Sequence, residues 1–281
     1  MPDPSLNFGS FILSLAATAA IHFGDRLEPG ADALGPVDLI AASQMIDILA
    51  LLEEKTRGNL TADERELLET VLYELRLRFV EAQALAHGMK RVDAILYTHS
   101  HVDHVLGLDE VRRFNWLQRE SIPCYGDERT LGDLRRIFAY AFDDKASKGG
   151  GIPRVALFPL SGEFSIAGAT FTPVPLLHGD RQIFGYRLGS FAYLTDCSAI
   201  PDRSWPLLGG VKTIILDALR DRPHPTHFSV SEALDVVKRL APERAFFTHM
   251  CHDLPHAATC ARLPEGVELA YDGLAFEIDL A

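Results

Sequence analysis

The sequence has few cysteines, no excess of positive charge and no long apolar run. Its 281 residues include 4 cysteines, none in a Cys-x-x-Cys pair, which argues against a disulfide scaffold and fits a reducing compartment. Acidic residues outnumber basic ones 39 to 27, and a net charge of -12 argues against a broad nucleic-acid-binding face. The apolar stretch 11–23 is too short to span a bilayer, and no basic leader precedes it. We expect a cytoplasmic protein with no membrane or nucleic-acid partner.

The composition is that of a folded chain, with 47% hydrophobic and 23% charged residues. Its character changes near residue 90. Residues 1–88 hold 14 acidic and 6 basic side chains, which is -8 of the total charge of -12. The length allows one large domain or two smaller ones. We predict a helical module over residues 1–88 and a second domain over residues 89–281.

The first part shows three helical patterns. Residues 11–22 are apolar and rich in alanine, and residues 40–55 carry an apolar stripe that ends near Gly58. Thr61 and Glu64 form a Thr-x-x-Glu capping box that starts the third helix. No residue here suggests catalysis, and its carboxylates are expected to form a solvated face.

This module resembles an uncharacterised family of short bacterial helical proteins, a domain of unknown function. The resemblance covers about residues 5–82 and is carried by FGSFILSLAATAAIHFG and MIDILALLEEKTRGNLTADERELLETVLYELRLRFVE. It implies a helical module and nothing about activity.

The second part has an α/β pattern of short apolar runs alternating with helical segments. Ser229 and Glu232 form a second capping box before a helix that stops at Pro242. Residues 143–153 hold three glycines and two lysines and are expected to form a mobile loop. The predicted strands are 92–97, 174–177, 191–194, 213–216 and 245–247, and the predicted helices are 105–119, 130–142 and 230–240.

The motif His-Ser-His-Val-Asp-His at residues 99–104 is the strongest chemical signal. His99 and His101 are two residues apart, so on an extended chain they point the same way and can hold one ion. Asp103 and His104 fall at the turn into the next helix, where they can face a second ion. Imidazole and carboxylate are ligands for Zn²⁺ and similar metals. Three histidines and an aspartate within six residues predict a metal site rather than a polar surface turn.

Further candidate ligands follow later strands. His178, Asp196 and His249 each come directly after a short apolar run. Ligand sites in α/β sheets lie beyond the carboxyl ends of strands, so these side chains are expected to join the motif. One such residue alone could be an ordinary loop residue, whereas three of them make a site for two metal ions coherent.

Residues 91–278 resemble the metallo-β-lactamase fold, and within it the hydrolases that act on phosphodiesters. The likeness is to the cyclic phosphodiesterases of bacterial phosphonate degradation, which hydrolyse ribosyl 1,2-cyclic phosphate. It is carried by YTHSHVDHVLGLDEVR, PLLHGD, GYRLGSFAYLTDCS, THFSVSEAL and FFTHMCHD. The resemblance implies an α+β or α/β fold, an αββα sandwich behind the helical module.

The resemblance also implies which residues hold which ion. Two divalent ions, Zn²⁺ or Mn²⁺, would share a hydroxide that attacks phosphorus in line. Asp196 would bridge the ions. The remaining ligands would be His99, His101 and His178 for the first ion, and Asp103, His104 and His249 for the second.

A histidine of the family's penultimate motif block corresponds to His227. The resemblance implies that it supplies the proton that the leaving oxygen needs, while Asp103 is the second residue expected to be essential for turnover. His224 lies three residues away and could be confused with it, and His227 could also be a structural residue near a helix start.

The sequence departs from this family in its early strands. Relatives begin with several strands before the His-x-His-x-Asp-His motif, and here the helical module stands in their place. The sandwich is therefore expected to be truncated, with unpaired strand edges that a second copy of the chain could repair as a homodimer.

The departure extends to a structural zinc. Relatives hold one between early cysteines and a histidine that corresponds to His252. The cysteines here are scattered, so we expect no structural zinc and take His252 to support the metal ligands or to be vestigial.

Two function classes remain open. The first is a dinuclear metal-dependent phosphodiesterase whose partner is a small, cyclic phosphodiester, favoured because the ligand set is complete. The second is a non-catalytic helical interaction module fused to an incomplete, inactive hydrolase domain. Within the enzyme class, the same fold also serves lactone, thioester, β-lactam and RNA-end hydrolysis. Arg181, Tyr186 and Arg113 could contact phosphate or could be packing residues.

Overall fold

The computed structural model describes residues 7–25, 37–86, 89–143, 152–278 and 280. The chain divides into two compact units, Met1–Arg91 and Val92–Ala281. Most of the loop predicted over residues 143–153 lies outside the described residues. No helix in the described ranges is long and apolar enough to cross a membrane.

Among its described residues, the regular elements of the first unit are all helices. Polar caps start its helices: Asn7 and Ser10 form a capping box, and the Asp38 carboxylate accepts a hydrogen bond from the backbone N–H of Ala41. The predicted box is confirmed, because Thr61 N donates to Glu64 Oε2 at 2.9 Å. The helices are α1 (Phe8–His22), α2 (Leu39–Lys55) and α3 (Ala62–Ala86).

Apolar side chains from all three helices form the core of this unit. Ile12, Leu49, Leu68 and Leu72 are each at most 1% exposed. Burial of such side chains, rather than helix propensity, stabilises short helices.

The second unit contains two sheets in its described residues. The smaller sheet is parallel, in the order β1-β2-β3, with strands β1 (Ile95–Leu96), β2 (Ile122–Gly126) and β3 (Val155–Pro159). Of the strand predicted over residues 92–97, only Ile95 and Leu96 pair with β2. In the described chain no strand precedes β1, which lies at the edge of its sheet. The expected absence of early strands therefore leaves a short edge strand.

The larger sheet has the order β10-β9-β8-β7-β6-β5-β4. Its β4 to β7 half is antiparallel and its β7 to β10 half is parallel. Its strands are β4 (Phe164–Ile166), β5 (Ala169–His178), β6 (Arg181–Leu188), β7 (Phe191–Leu194), β8 (Thr213–Asp217), β9 (Arg244–Thr248) and β10 (Val267–Leu269).

Helical segments follow several strands of both sheets. The predicted helix over 230–240 is confirmed with its capping box at Ser229 and Glu232. The single helices predicted over 105–119 and 130–142 are each broken, the first by a 3-10 segment, Leu106–Val111. The helices are α4 (Val102–Val105), α5 (Arg112–Gln118), α6 (Glu128–Ile137), α7 (Ala139–Phe142), α8 (Val230–Leu240) and α9 (His256–Cys260), with a second 3-10 segment at Asp202–Leu208.

Hydrogen bonds from β6 join the larger sheet to the segment that follows β1. Tyr186 Oη donates to the carbonyl of Tyr97 at 2.6 Å, and Phe184 N donates to the carbonyl of Thr98 at 3.3 Å. The expected combination of a helical N-terminal part and an α/β sheet core is confirmed. The main core of the second unit is formed by residues of β5 to β10 and α8.

Candidate metal centre

The predicted ligands lie where strands end. His99 and His101 follow β1, and His178 is the last residue of β5. Asp196 stands two residues after β7, and His249 comes directly after β9. The topology of the two sheets therefore brings together residues that are up to 150 positions apart in the sequence.

One group consists of His99, His101, His178 and Asp196. Each offers a ligand atom, and these atoms all lie within 4.8 Å of one another. The imidazole centroids of His99 and His101 are 4.5 Å apart, and those of His101 and His178 are 4.9 Å apart. His99 and Asp196 are buried, whereas His101 is exposed, so one side of the group is open to solvent.

A second group consists of Asp103, His104, His249 and again Asp196, also within 4.8 Å of one another. His104 Nε2 lies 3.0 Å from Asp196 Oδ2, and His249 Nδ1 lies 3.4 Å from Asp196 Oδ1. His249 Nε2 lies 3.9 Å from Asp103 Oδ2. The structure thus places the seven predicted ligands in two groups that share one carboxylate; that they hold ions stays a prediction.

Hydrogen bonds to the distal ring nitrogens orient two of the imidazoles. His178 Nδ1 lies 2.7 Å from the carbonyl of Thr226, which can only accept, so this nitrogen carries the proton and Nε2 offers a lone pair. His99 Nδ1 lies 3.1 Å from Thr98 Oγ1. Such contacts fix the ring orientation and leave the other nitrogen for a ligand.

The donor set fits a divalent metal ion. Nε2 of His99 is buried and has no hydrogen-bond partner in the part of the chain that the structure describes. A buried nitrogen without a partner is costly, and an ion would satisfy it. His249 has a φ of +57°, in the left-handed region that residues other than glycine adopt infrequently.

The electrostatics favour the protonation state that metal binding needs. Burial, followed by the neighbouring His104, lowers the pKa of His99 from its usual 6.5 to about 3. Burial likewise lowers the pKa of His178, and partial desolvation by its neighbours lowers that of the more exposed His101. Burial would raise the pKa of Asp196, but hydrogen bonds from His104 and Thr195 outweigh it and hold that pKa below its usual range. Neutral imidazoles around an ionised carboxylate are the form that binds cations.

His104 differs from the other histidines of the site. Burial acts to lower its pKa, but its hydrogen bond to Asp196 prevails and the pKa is raised. A cation bound beside Asp196 would favour the neutral form of this imidazole instead.

His227 borders both groups without belonging to either. Its ring centroid lies 4.7 Å from that of His178 and 4.9 Å from that of His249. The ring centroid of His224 lies 5.0 Å from that of His227, and no ring contact joins His224 to a predicted ligand in the described residues. His227 rather than His224 is therefore next to the predicted ligands.

Asp217 is a buried neighbour that the sequence analysis missed. Its Oδ2 lies 3.6 Å from His227 Nδ1, and its Oδ1 accepts a hydrogen bond from the backbone N–H of Cys197 at 2.8 Å. Asp217 is the last residue of β8, so it shows the same pattern of a carboxylate at a strand end that pointed to Asp196. The predicted strand stopped one residue short of it.

The three candidate phosphate contacts and His252 occupy different places relative to the two ligand groups. Tyr186 is buried and hydrogen-bonded to the backbone, which makes it a packing residue. The guanidinium of Arg113 lies over the ring of Trp116, 4.6 Å from its centroid. His252 has a 96% exposed side chain and lies outside both groups. Arg181 borders the centre, since its guanidinium hydrogen-bonds the hydroxyl of Ser100.

Comparison with known families gives two matches. A family described as "Beta-lactamase superfamily domain" matches residues 67–250, and a domain of unknown function, DUF1844, matches residues 5–81. The first match begins within the segment that the structure shows as α3.

Three solved structures are similar to this chain over 69% to 72% of its length. The crystal structure of "a New Diphosphatase from the PhnP Family" is 41% identical, with a TM-score of 0.64 over 72% of this chain and 77% of that one. YhfI from Bacillus subtilis and Zn²⁺-bound PqqB from Methylobacterium extorquens are each 16% identical, with TM-scores of 0.54 and 0.51. They cover 69% and 71% of this chain, and 81% and 80% of their own. At 16% identity, these two structures show only that this chain has a similar fold.

A curated relative is the octanoyltransferase of Porphyromonas gingivalis, 30% identical over 199 residues. The match covers 70% of this chain but only 40% of that protein. The chain thus spans about two fifths of the length of this relative, and the transferase name describes the longer protein.

Proposed function

The chain belongs to the beta-lactamase superfamily, and from that premise we propose that it is a dinuclear metal-dependent phosphodiesterase acting on small, including cyclic, phosphodiesters. The shared carboxylate of Asp196 is the observation that carries this proposal. Its two oxygens lie 3.0 Å from His104 Nε2 and 3.4 Å from His249 Nδ1, and Oδ2 lies 3.7 Å from His99 Nε2. Two-metal hydrolytic sites need ions about 3.5–4 Å apart, which a common carboxylate can arrange.

The two groups would divide the ligands as the family resemblance implied. Asp196 would serve both ions, and histidine with aspartate suits Zn²⁺ and Mn²⁺ alike. When bound, such ions lower the pKa of water and neutralise charge on phosphoryl oxygens. The first ion would be held by His99, His101 and His178, and the second by Asp103, His104 and His249.

His227 would handle the proton of the leaving oxygen. Its side chain is only 12% exposed, and it stands between His178 and His249, at the border of both groups. Asp217 lies behind it and can orient its ring, as a carboxylate commonly does for a histidine that moves a proton. The ring nitrogen that faces away from Asp217 is then the one that can reach a substrate oxygen.

The charge of the chain and the similar structures both favour a small phosphate compound as substrate. A chain with a net charge of -12 disfavours long nucleic acids but not a small phosphate compound held by cations. A structure 41% identical to this chain is called a diphosphatase, which supports chemistry at phosphorus.

The alternative, a helical module fused to an inactive hydrolase domain, is favoured by one feature. The smaller sheet has three strands in the described chain, and its edge strand β1 has two residues. A site supported by so short a strand could fail to form in solution. Strong binding of a hydrophobic dye by the purified protein would support this alternative.

The test is turnover of bis(p-nitrophenyl) phosphate by protein reconstituted with Zn²⁺ or Mn²⁺. We expect Asp103→Ala to abolish turnover, and His227→Ala to lower kcat by roughly 10²- to 10⁴-fold with its metal content retained. His252→Ala is the matched control, because its side chain is 96% exposed and outside both groups. Loss of metal in His227→Ala would overturn the role given to this residue. Absence of turnover in fully metal-loaded wild-type protein would overturn the function.

A further inference from the structure

Arg181 is positioned by the hairpin that carries a predicted metal ligand. β5 and β6 are joined at His178 and Arg181, which pair directly across the turn. Gly179, the first residue of the turn, has a φ of +59°, as a two-residue type II′ turn requires. Directly paired residues of antiparallel strands project to the same face of a sheet. Arg181 therefore lies on the face to which His178 contributes its imidazole.

The guanidinium of Arg181 contacts neutral groups. Its Nη2 donates to Ser100 Oγ at 3.2 Å and to Thr130 Oγ1 at 3.3 Å. Ser100 stands between His99 and His101, so these contacts bring the positive charge beside the first ligand group. In the described chain, no carboxylate lies within 4.0 Å of this guanidinium, and its buried Nε has no hydrogen-bond partner.

The nearby carboxylates are engaged elsewhere. Asp133 accepts a hydrogen bond from Ser100 Oγ at 2.5 Å and forms an ion pair with Arg136 at 2.9 Å. Asp127 caps α6 by accepting a hydrogen bond from the backbone N–H of Thr130 at 2.6 Å. The partly buried cation of Arg181 thus has donors to spare and no counter-ion in contact.

A partly buried guanidinium without a counter-ion is the usual protein group for binding phosphate oxygens. We propose that Arg181 binds a second phosphoryl group, next to the one that the metal centre would hold. The substrate class is then small molecules with two adjacent phosphoryl groups, such as diphosphate esters. This inference rests on the proposed function, because the metal centre defines where the first phosphoryl group lies.

Two chromogenic substrates test the inference directly. The p-nitrophenyl esters of uridine 5′-monophosphate and of uridine 5′-diphosphate share their base, sugar and leaving group and differ by one phosphoryl group. In both, a water oxygen bonds to the phosphorus that bears the p-nitrophenyl group, the bond to p-nitrophenolate breaks, and the nucleotide is the other product. Chromatography of the products detects cleavage between the two phosphoryl groups, which would release colourless p-nitrophenyl phosphate instead. Wild-type protein is expected to prefer the diphosphate ester. Arg181→Gln should lower kcat/KM for the diphosphate ester by roughly 10- to 100-fold, mainly through KM, and change the monophosphate ester by less than about 3-fold.

Two variants serve as controls. Arg181→Lys keeps the charge but not the planar fork, and should lose an intermediate amount of the preference. Arg262→Gln removes the same charge from an exposed residue that pairs with Asp221, and should leave the preference unchanged. An equal loss on both esters in Arg181→Gln would overturn the inference, because it would show a general or structural role.

Calorimetric binding separates this inference from the proposed function. The metal-loaded protein should bind methylenediphosphonate, which cannot be hydrolysed, more tightly than methylphosphonate, and Arg181→Gln should abolish the difference. If neither ester is hydrolysed but this difference is found, the phosphodiesterase proposal fails and the anion site stands. If wild-type protein binds both phosphonates equally, the assignment of Arg181 is wrong whatever the turnover.

Discussion

The carboxylate of Asp217 lies 3.6 Å from Nδ1 of His227, and Asp217 is fully buried. Its two oxygens also accept hydrogen bonds from the backbone N–H groups of Cys197 and Phe228, at 2.8 and 3.2 Å. The carboxylate is thus held on two sides and can hold the imidazole in turn.

Asp217→Asn keeps the side-chain shape but replaces one carboxylate oxygen with an NH2 group, which donates. It should weaken the orientation of His227 and also remove one of the two backbone hydrogen bonds that Asp217 accepts. We expect kcat to fall roughly 10- to 100-fold with KM and metal content retained, which is part of the roughly 10²- to 10⁴-fold that a positioned proton-transfer group contributes. Steady-state kinetics and metal analysis of the same preparation measure it. In a His227→Ala background the substitution should cost nothing further. A full additional loss in the double variant would show that Asp217 acts independently of His227.

The stability of the metal-free protein should depend on pH through its buried histidines. The pKa of His99 is lowered to about 3 in the folded state. Between pH 6.5 and about 3, His99 is therefore protonated in the unfolded state but neutral in the folded state. The free energy of unfolding should therefore fall as pH drops from about 6.5 toward 3. The lowered pKa values of His101 and His178 act in the same direction, whereas the raised pKa of His104 opposes it.

Urea unfolding in the presence of a chelator measures this slope. His99→Asn should flatten it by up to about 1.4 kcal/mol per pH unit, the value for one proton. An unchanged slope in this variant would mean that His99 is not held neutral by burial.

Two glycine substitutions test the packing of the second unit. A Cβ at Gly185 in β6 would lie 2.7 Å from the carbonyl oxygen of Tyr193 and from Leu194 Cδ2, so Gly185→Ala should destabilise by about 1–3 kcal/mol. A Cβ at Gly132 in α6 would meet nothing within 4 Å. Gly132→Ala should therefore stabilise by about 0.5–1 kcal/mol, as alanine does in an exposed helix. Urea unfolding of both variants checks these signs, and similar effects at the two sites would contradict the packing described.

Local signals predicted the elements that have strong boundaries. β7 and α8 lie where the sequence placed them, because a short apolar run and a capping box mark their limits. Strand β6 was missed, since Arg181, Gly185 and Arg187 interrupt its apolar residues. It forms because both of its neighbours pair with it in the sheet.

Strand β5 was predicted only from residue 174, although it begins at Ala169. Pro173 and Pro175 argue against a strand because they lack a backbone N–H. The backbone nitrogens of both prolines face the same side of β5 as that of Leu177. The N–H of Leu177 donates to the carbonyl of Ala199 and not to β6, so the prolines remove no hydrogen bond between β5 and β6. This compensation depends on register, which the sequence alone did not reveal.

In the candidate metal centre, too, residues marked by local sequence patterns were predicted, whereas contacts between distant residues were not. The motif at 99–104 and the strand-end residues named the seven candidate ligands from sequence alone. The contacts of Asp217 with His227 and of Arg181 with Ser100 link residues 10 and 81 positions apart. These pairs depend on how strands register and how turns close, and no spacing rule identifies them.

Metal content per chain, measured by plasma mass spectrometry on gel-filtered protein, tests the shared carboxylate most directly. Wild-type protein refolded with Zn²⁺ or Mn²⁺ should carry about two divalent ions per chain. Asp196→Asn should carry fewer than about one. Asp221→Asn, which changes an exposed carboxylate paired with Arg262, should match the wild type. Wild-type protein with near zero metal, or Asp196→Asn with an undiminished content, would contradict a two-metal centre built around Asp196.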